Sequence, residues 1–361
     1  MNNLKERIPL SGTFELTGRC NLSCKMCLVR VNGSRIRELG CRERTADEWI
    51  HMAEQAVEAG TLGLLLTGGE VTLRPDFCEI YEAVAQMGFL LTVYTNATLI
   101  TDKVMDVFRK YPPHKIGVTM YGASNDTYKR LCGCEDGYDR FVAGVEQLSS
   151  LPSLFETRTT IVKDNRDDLE AMQRFTKEKF GEDKILQISR FVTKSIRGGV
   201  ACAEDCRLTP EENVELVDKG LAELFRKVRC GETGLEEPKE KLKMHWKEEV
   251  HPGGSLFQNC EAGSRQYAIT WDGSMCACEL MPEGCTKPFE TGFQKAWEAL
   301  PKCYPESQVI HTCTKCRYAP FCEACPAVRR AETGDFFGKP EYFCREAECK
   351  YEMLSYLRVI N

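Results

Sequence analysis

The first two hundred residues alternate strand and helix, and this constrains the fold more than any other feature. Apolar, β-favouring segments at 12–17, 62–66, 89–94, 116–121, 156–162 and 185–191 are separated by stretches of helical periodicity at 45–60, 75–87, 102–110, 138–148 and 167–180. Thr45-Ala46-Asp47-Glu48 reads as a capping box, in which Thr45 caps a backbone N–H and Glu48 reaches back. The helix behind it places Ile50, Ala53, Ala56 and Val57 on one face and stops at Gly60; the next turns Phe77, Ile80, Tyr81 and Val84 inward and stops at Gly88. Such alternation predicts an α/β fold with parallel strands and right-handed crossovers. Six strands are too few to close an eight-fold barrel, which leaves a barrel-like and an open sheet both possible. Chemistry in such folds gathers at the C-terminal ends of strands. Four segments fall there: Cys20 to Cys27, Gly68-Gly69-Glu70, Thr95-Asn96 and Tyr121-Gly122.

The cysteines are the second constraint. There are 21 of them, an odd number, in a chain of 361 residues with a net charge of −6. That charge implies no general affinity for nucleic acid or anionic membrane. No apolar run is long enough to span a bilayer, and the N-terminus lacks a signal-peptide core, so a cytoplasmic protein is expected. In a reducing compartment, closely spaced cysteines are metal ligands more often than disulfides. Cys20, Cys24 and Cys27 stand at CxxxCxxC directly after the first strand. Three thiolates can hold three corners of a 4Fe–4S cube and leave one iron open to a small molecule; a zinc knuckle is the alternative for these residues alone. Eleven of the 21 cysteines fall between Cys260 and Cys349. That region, 258–361, has little hydrophobic periodicity and needs metals or disulfides as staples. Between the two lies a helical linker region, 201–257, with a helix expected over 210–229 and a charged, solvated stretch at 236–249.

CxxxCxxC after the first strand, Gly-Gly-Glu after the second and Thr-Asn after the third together resemble the radical S-adenosylmethionine (SAM) enzymes. The resemblance covers 12–200 and implies that this stretch forms a partial (β/α)6 TIM-like barrel. It implies that Cys20, Cys24 and Cys27 ligate the cluster, and that SAM binds the open iron and is cleaved reductively to a 5′-deoxyadenosyl radical. It further implies that Gly68, Gly69 and Glu70 hold the methionine amine, that Thr95 and Asn96 lie near the adenosine, and that Thr119 takes the place of a SAM-contacting serine. Arg130 and Arg190 are candidates for the SAM carboxylate, with plain surface ion pairs as the alternative. Relatives carry an aromatic residue where this chain has Met26 and Leu28.

The tail, Cys260-x12-Gly273-x4-Cys278 followed by Cys313-x2-Cys316-x5-Cys322-x2-Cys325 and Cys344, resembles the SPASM domain, which holds two auxiliary 4Fe–4S clusters. By that resemblance Cys260, Cys278 and Cys325 serve the first auxiliary cluster, with Cys276 as a tentative fourth ligand. Cys313, Cys316, Cys322 and Cys344 serve the second, with Cys349 as an alternative to Cys344. Structural zinc is the competing reading. Glu279, beside Cys278, lies where some relatives carry an acid that takes a substrate proton, so it is a tentative base. Enzymes of this type mostly modify peptides or protein side chains, and they draw electrons from a low-potential donor such as flavodoxin or ferredoxin. The resemblance therefore implies hydrogen abstraction from a peptide or protein. The alternatives are a small-molecule dehydrogenase acting on an amino sugar or metabolite, and a non-catalytic iron–sulfur or zinc protein. With the first strand opening at residue 12, no N-terminal peptide-recognition domain is expected.

Overall fold

The computed structural model describes residues 7–31, 33–38, 40–194, 203–217, 260–281, 285–305, 313 and 315–356. The charged stretch 236–249, the expected helix beyond 217, Cys202 and Cys230 lie outside these residues. Six parallel strands follow one another in space as in sequence: β1 (Ser11–Thr17), β2 (Gly63–Gly68), β3 (Leu90–Thr95), β4 (Lys115–Thr119), β5 (Leu154–Thr160) and β6 (Gln187–Ser189). Helices α1 (Gly33–Glu38), α2 (Ala46–Glu58), α3 (Phe77–Ala85), α4 (Asp102–Lys110), α5 (Asn125–Cys132), α6 (Gly137–Leu148) and α7 (Leu169–Phe180) fill the crossovers. These are the parallel strands that the alternation predicts, in the partial (β/α)6 barrel that the resemblance implies.

Strands β2, β3 and β5 bury one face under the helices and leave the other half-exposed, which is the period-two signature of a one-sided core, while β1 is buried on both faces. Phe14, Leu16, Leu64, Leu66, Val93, Ile116 and Val118 form the buried face. The Thr45–Glu48 capping box is present, and the Phe77, Ile80, Tyr81 and Val84 stripe is buried as expected. The α2 face is rotated from its expected position. Trp49, Met52, Ala53 and Ala56 face inward, while Ile50 is half-buried and Val57 is exposed. The cause is Trp49, whose large ring packs 5.1 Å from Phe14 and takes the inner position.

The chain forms two compact units, 1–207 with 261–304 and 208–260 with 305–361. The units do not follow the sequence boundaries 12–200, 201–257 and 258–361. In the first unit, β7 (Gln266–Ile269) pairs in parallel with β1, and β8 (Met275–Cys276) pairs antiparallel with β7, so the sheet has eight strands. Gly273, at φ +84, makes the turn between them, and a Cβ there would meet Arg44 Nε at 2.6 Å. In the second unit, α8 having closed the first unit at Ala203–Cys206, α9 (Pro210–Val217) packs on the helix Glu341–Tyr356. No helix among the described residues is long and apolar enough to cross a membrane.

Candidate active site

The cysteine loop leaves β1 and is pinned at three places. Ser23 N–H donates to Cys132 O (2.7 Å) and Lys25 N–H to Leu131 O (3.1 Å), which fixes the loop on the end of α5. Val31 N–H donates to Gly18 O (2.9 Å), closing the loop back on its start. Asn21 Nδ2 donates to Thr98 Oγ1 (2.8 Å) and its Oδ1 accepts from Asn96 Nδ2 (2.9 Å), which ties the loop to the end of β3. Leu22 N–H points at Cys20 Sγ (3.4 Å) and Arg30 N–H at Cys27 Sγ (3.2 Å). Asn96 Nδ2 lies 3.7 Å from Cys20 Sγ.

Burial pushes the Cys20 thiol well up, and Glu70 adds to this. Burial also raises Cys27. Cys24 is raised first by its hydrogen bond to Cys132, Sγ to Sγ 3.5 Å, and then by burial. Three thiols, Cys24 buried and Cys20 and Cys27 half-buried, with backbone donors aimed at two of them, form an all-sulfur set that needs a cationic partner to ionise. Among the described residues, no three His, Cys, Asp or Glu side chains close on a single point as one metal ion requires. A cubane binds each thiolate to a different iron, so the loop fits a 4Fe–4S cluster.

The Gly-Gly-Glu segment braces the site. A Cβ on Gly69 would lie 2.1 Å from Arg19 O, so the glycine admits the backbone leading into the cysteine loop. Glu70 is 1% exposed. Its Oε1 accepts from Thr72 N–H (3.1 Å), Thr72 Oγ1 (2.8 Å) and Thr95 Oγ1 (2.8 Å), and its Oε2 from Asn96 N–H (2.7 Å). Burial raises its pKa against these bonds. Glu70 thus joins the ends of β2 and β3.

The remaining candidates lie around this centre. Thr119 ends β4 opposite Arg158 of β5. Arg158 sits over the Tyr94 ring at 4.1 Å, and Gly117 leaves the room that Tyr94 fills. By strand register Tyr94, Gly117, Thr119 and Arg158 share the half-exposed face. Glu279 is exposed, and its charge reaches Tyr94. Arg130 donates to Thr127 Oγ1 (3.2 Å) and Asp164 O (3.3 Å); Arg190 follows β6 directly. Sequence reasoning placed Tyr121 at a strand end without giving it a role, and it singled out neither Asn21 nor Cys132. The phenol of Tyr121 is buried among Cys24, Cys20, Cys132 and Cys27 and is pushed well up, first by that burial. It supplies from β4 an aromatic ring beside a loop that carries Met26 and Leu28.

In the second unit Cys313, Cys316, Cys322 and Cys344 gather. Burial raises Cys322, as do the charges of Cys313 and Cys316; burial likewise raises Cys344, followed by Cys322 and then Cys313. Cys349 does not join them. It donates to Glu211 Oε1 (3.6 Å) on α9, because five residues along a helix turn a side chain by about 140°. Cys325 lies near Cys260, with the backbone N–H groups of Val328 and Ala327 directed at its sulfur. Cys278, in the first unit, accepts from Leu280 N–H (3.4 Å). Cys276 is fully buried and donates to Ala268 O (3.6 Å) across β7 and β8.

Residues 14–176 match the radical SAM superfamily, so that part of the chain is a radical SAM domain. It is 25% identical over 343 residues to an AdoMet-dependent heme synthase of Methanosarcina barkeri, covering 91% of this chain and 94% of that enzyme. It is 29% identical over 135 residues to a PqqA peptide cyclase of Rhizobium meliloti, covering 37% of this chain and 35% of the cyclase. The fold is similar to that of native anSMEcpe with bound AdoMet and Cp18Cys peptide, with a TM-score of 0.65, 15% identity, and coverage of 97% of this chain and 99% of that one. The protein is therefore a radical SAM enzyme, using a 4Fe–4S cluster and SAM.

Proposed function

We propose that this enzyme matures a peptide or protein by abstracting hydrogen from one of its side chains. The observation that carries the reading is the joining of the cysteine loop to the ends of β2 and β3 through Asn21, Asn96 and Glu70. When bound, the cluster and SAM supply a 5′-deoxyadenosyl radical that abstracts hydrogen. Cys20, Cys24 and Cys27 hold the cluster. Gly68, Gly69 and Glu70 shape the methionine end of the SAM site, and Thr95, Asn96 and Thr119 its nucleoside side. Arg130 and Arg190 are the candidate carboxylate partners. Tyr94, Thr119 and Arg158 offer a polar wall that suits backbone amides. Glu279 is the candidate base, taking a proton as the substrate is oxidised. A peptide substrate agrees with what the cyclase and anSMEcpe handle. Cys313, Cys316, Cys322 and Cys344 hold one auxiliary cluster, and Cys260 and Cys325 of the same unit serve another, giving an exit for substrate electrons. Flavodoxin or ferredoxin supplies the low-potential electron, in a reducing cytoplasm.

A tetrapyrrole substrate is the second reading, because the heme synthase is similar along nearly the whole chain. Anaerobic reconstitution decides. About twelve irons per chain are expected, with 5′-deoxyadenosine formed on adding SAM and reductant. Cleavage stimulated by a peptide encoded beside the gene, with hydrogen lost from that peptide, supports the proposal. Stimulation by an iron porphyrin and not by peptide overturns the substrate class. A Cys20→Ala, Cys24→Ala, Cys27→Ala variant should keep the auxiliary iron and lose cleavage; retained cleavage overturns the site.

A further inference from the structure

We propose that Arg329 is the counter-ion of the second auxiliary iron–sulfur cluster and sets its reduction potential. The proposal rests on the reading that Cys313, Cys316, Cys322 and Cys344 hold that cluster.

Arg329 lies in the helix Pro326–Thr333 and is only 7% exposed. Two of its nitrogens are held by backbone carbonyls, Nε by Ala324 O (3.1 Å) and Nη1 by Gly338 O (2.9 Å). These two bonds fix the plane of the guanidinium and leave Nη2 to point at Cys313 Sγ, 3.4 Å away. The arginine therefore acts directly on one of the four cysteines, Cys313.

Charge accounting makes the case stronger. A buried cation without an anionic partner is costly. Among the described residues, no carboxylate pairs with Arg329. The same unit shows what an ordinary buried cation looks like. Lys350 is equally buried, but its Nζ is paired with Glu346 (2.8 Å) and Glu323 (3.2 Å). Arg329 has carbonyls and sulfur instead, so its balancing charge must come from the cysteines. A 4Fe–4S cluster with four thiolates is anionic in both of its usual states. A fixed cation and an N–H···S bond stabilise the more negative, reduced state and so raise the potential. Arginine suits the position better than lysine because its planar fork reaches three acceptors in fixed directions.

The test uses the full chain, reconstituted without oxygen, in the Cys20→Ala, Cys24→Ala, Cys27→Ala background, where only auxiliary clusters contribute to the EPR spectrum. Redox titrations are run on Arg329, Arg329→Gln and Arg329→Lys, with iron and zinc counted in each. Arg329→Gln keeps a polar side chain and removes the charge. It should shift the one-electron equilibrium of one auxiliary cluster about tenfold toward the oxidised form, which is about 59 mV, and leave the other cluster unchanged. Arg329→Lys should recover most of that shift. If Gln loses iron and Lys restores it with a near-native potential, the charge role also stands. Unchanged potentials at full iron content, or equal iron loss in both variants, would make Arg329 a backbone clamp and overturn the proposal. A Cys313→Ala, Cys316→Ala variant separates the underlying reading. If it keeps all the iron, or if the parent contains zinc there, the cluster assignment fails independently of Arg329.

Discussion

The carboxylate of Glu70 can be tested as a brace between strand ends, separately from any role toward SAM. Four donors converge on it and no acceptor does: two backbone N–H groups, from Thr72 and Asn96, and two hydroxyls, from Thr72 and Thr95. In Glu70→Gln the amide oxygen can keep the three donors on one side, but the NH2 then faces Asn96 N–H, which donates over only 2.7 Å to the native carboxylate. One buried donor is left unpaired, at a cost of about 1–3 kcal/mol. For a domain of this size, about 2 kcal/mol lowers the melting midpoint by about 4–8 °C. The assay is an anaerobic circular-dichroism melt of the reconstituted enzyme without SAM. Glu70→Ala should fall further, because it leaves both backbone N–H groups unpaired and opens a cavity. Should Glu70→Gln melt with the native enzyme while SAM binding weakens, the carboxylate serves the ligand and the brace argument is wrong.

Three further outcomes are expected. In iron-free protein, diamide should take two electrons from the Cys24–Cys132 pair, whose sulfurs lie 3.5 Å apart, and form a disulfide visible in non-reducing peptide maps; Cys132→Ser should abolish it, and iron loading should protect against it. Gly69→Ala should cost about 2–3 kcal/mol, since its Cβ would sit 2.1 Å from Arg19 O, and should lower iron retention in colorimetric assays. Glu48 is held at about 2, chiefly by its hydrogen bond to Arg42, against an ordinary value of 4.5. A lowered carboxylate stabilises the fold above pH 4.5 and loses that contribution as pH falls through about 2, so Glu48→Gln should melt below the native protein at pH 7, being less stable by about 0.5–1 kcal/mol after solvent screening, with the gap narrowed but still present at pH 3.

The barrel was legible because each strand and helix there carries its own periodicity. The expected 102–110 helix coincides with α4, and the expected 138–148 helix begins one residue early, at Gly137. Strand 185–191 shrinks to Gln187–Ser189, at the edge of the sheet, where only one neighbour supplies backbone partners. α5 was missed because Asn125–Cys132 is short and polar; what fixes it is the Ser124 cap, the left-handed Gly133 stop and the buried Tyr128 and Leu131. β7 has four residues and pairs with β1 across some 250 positions of sequence, so nothing local marks it as part of the barrel's sheet.

The site divides along the same line. Spacing alone marks Cys20, Cys24 and Cys27, since their chemistry needs proximity in sequence. It cannot mark Cys132, Asn21 or Tyr121, which matter because α5, β3 and β4 end beside the loop. The Gly-Gly-Glu segment shows how a motif can be found for one reason and kept for another. The glycines admit the Arg19 backbone, and Glu70 spends its acceptors on the two strand ends. Its sequence is therefore already required by the protein alone, before any ligand enters. A loop held this way presents its three thiols in a preformed arrangement, so cluster binding need not order the strand ends as well. Mutations in the brace should then act on iron retention and SAM cleavage together, whereas changes at Tyr94 or Arg158, on the open face, should alter substrate turnover and leave iron content at the native level.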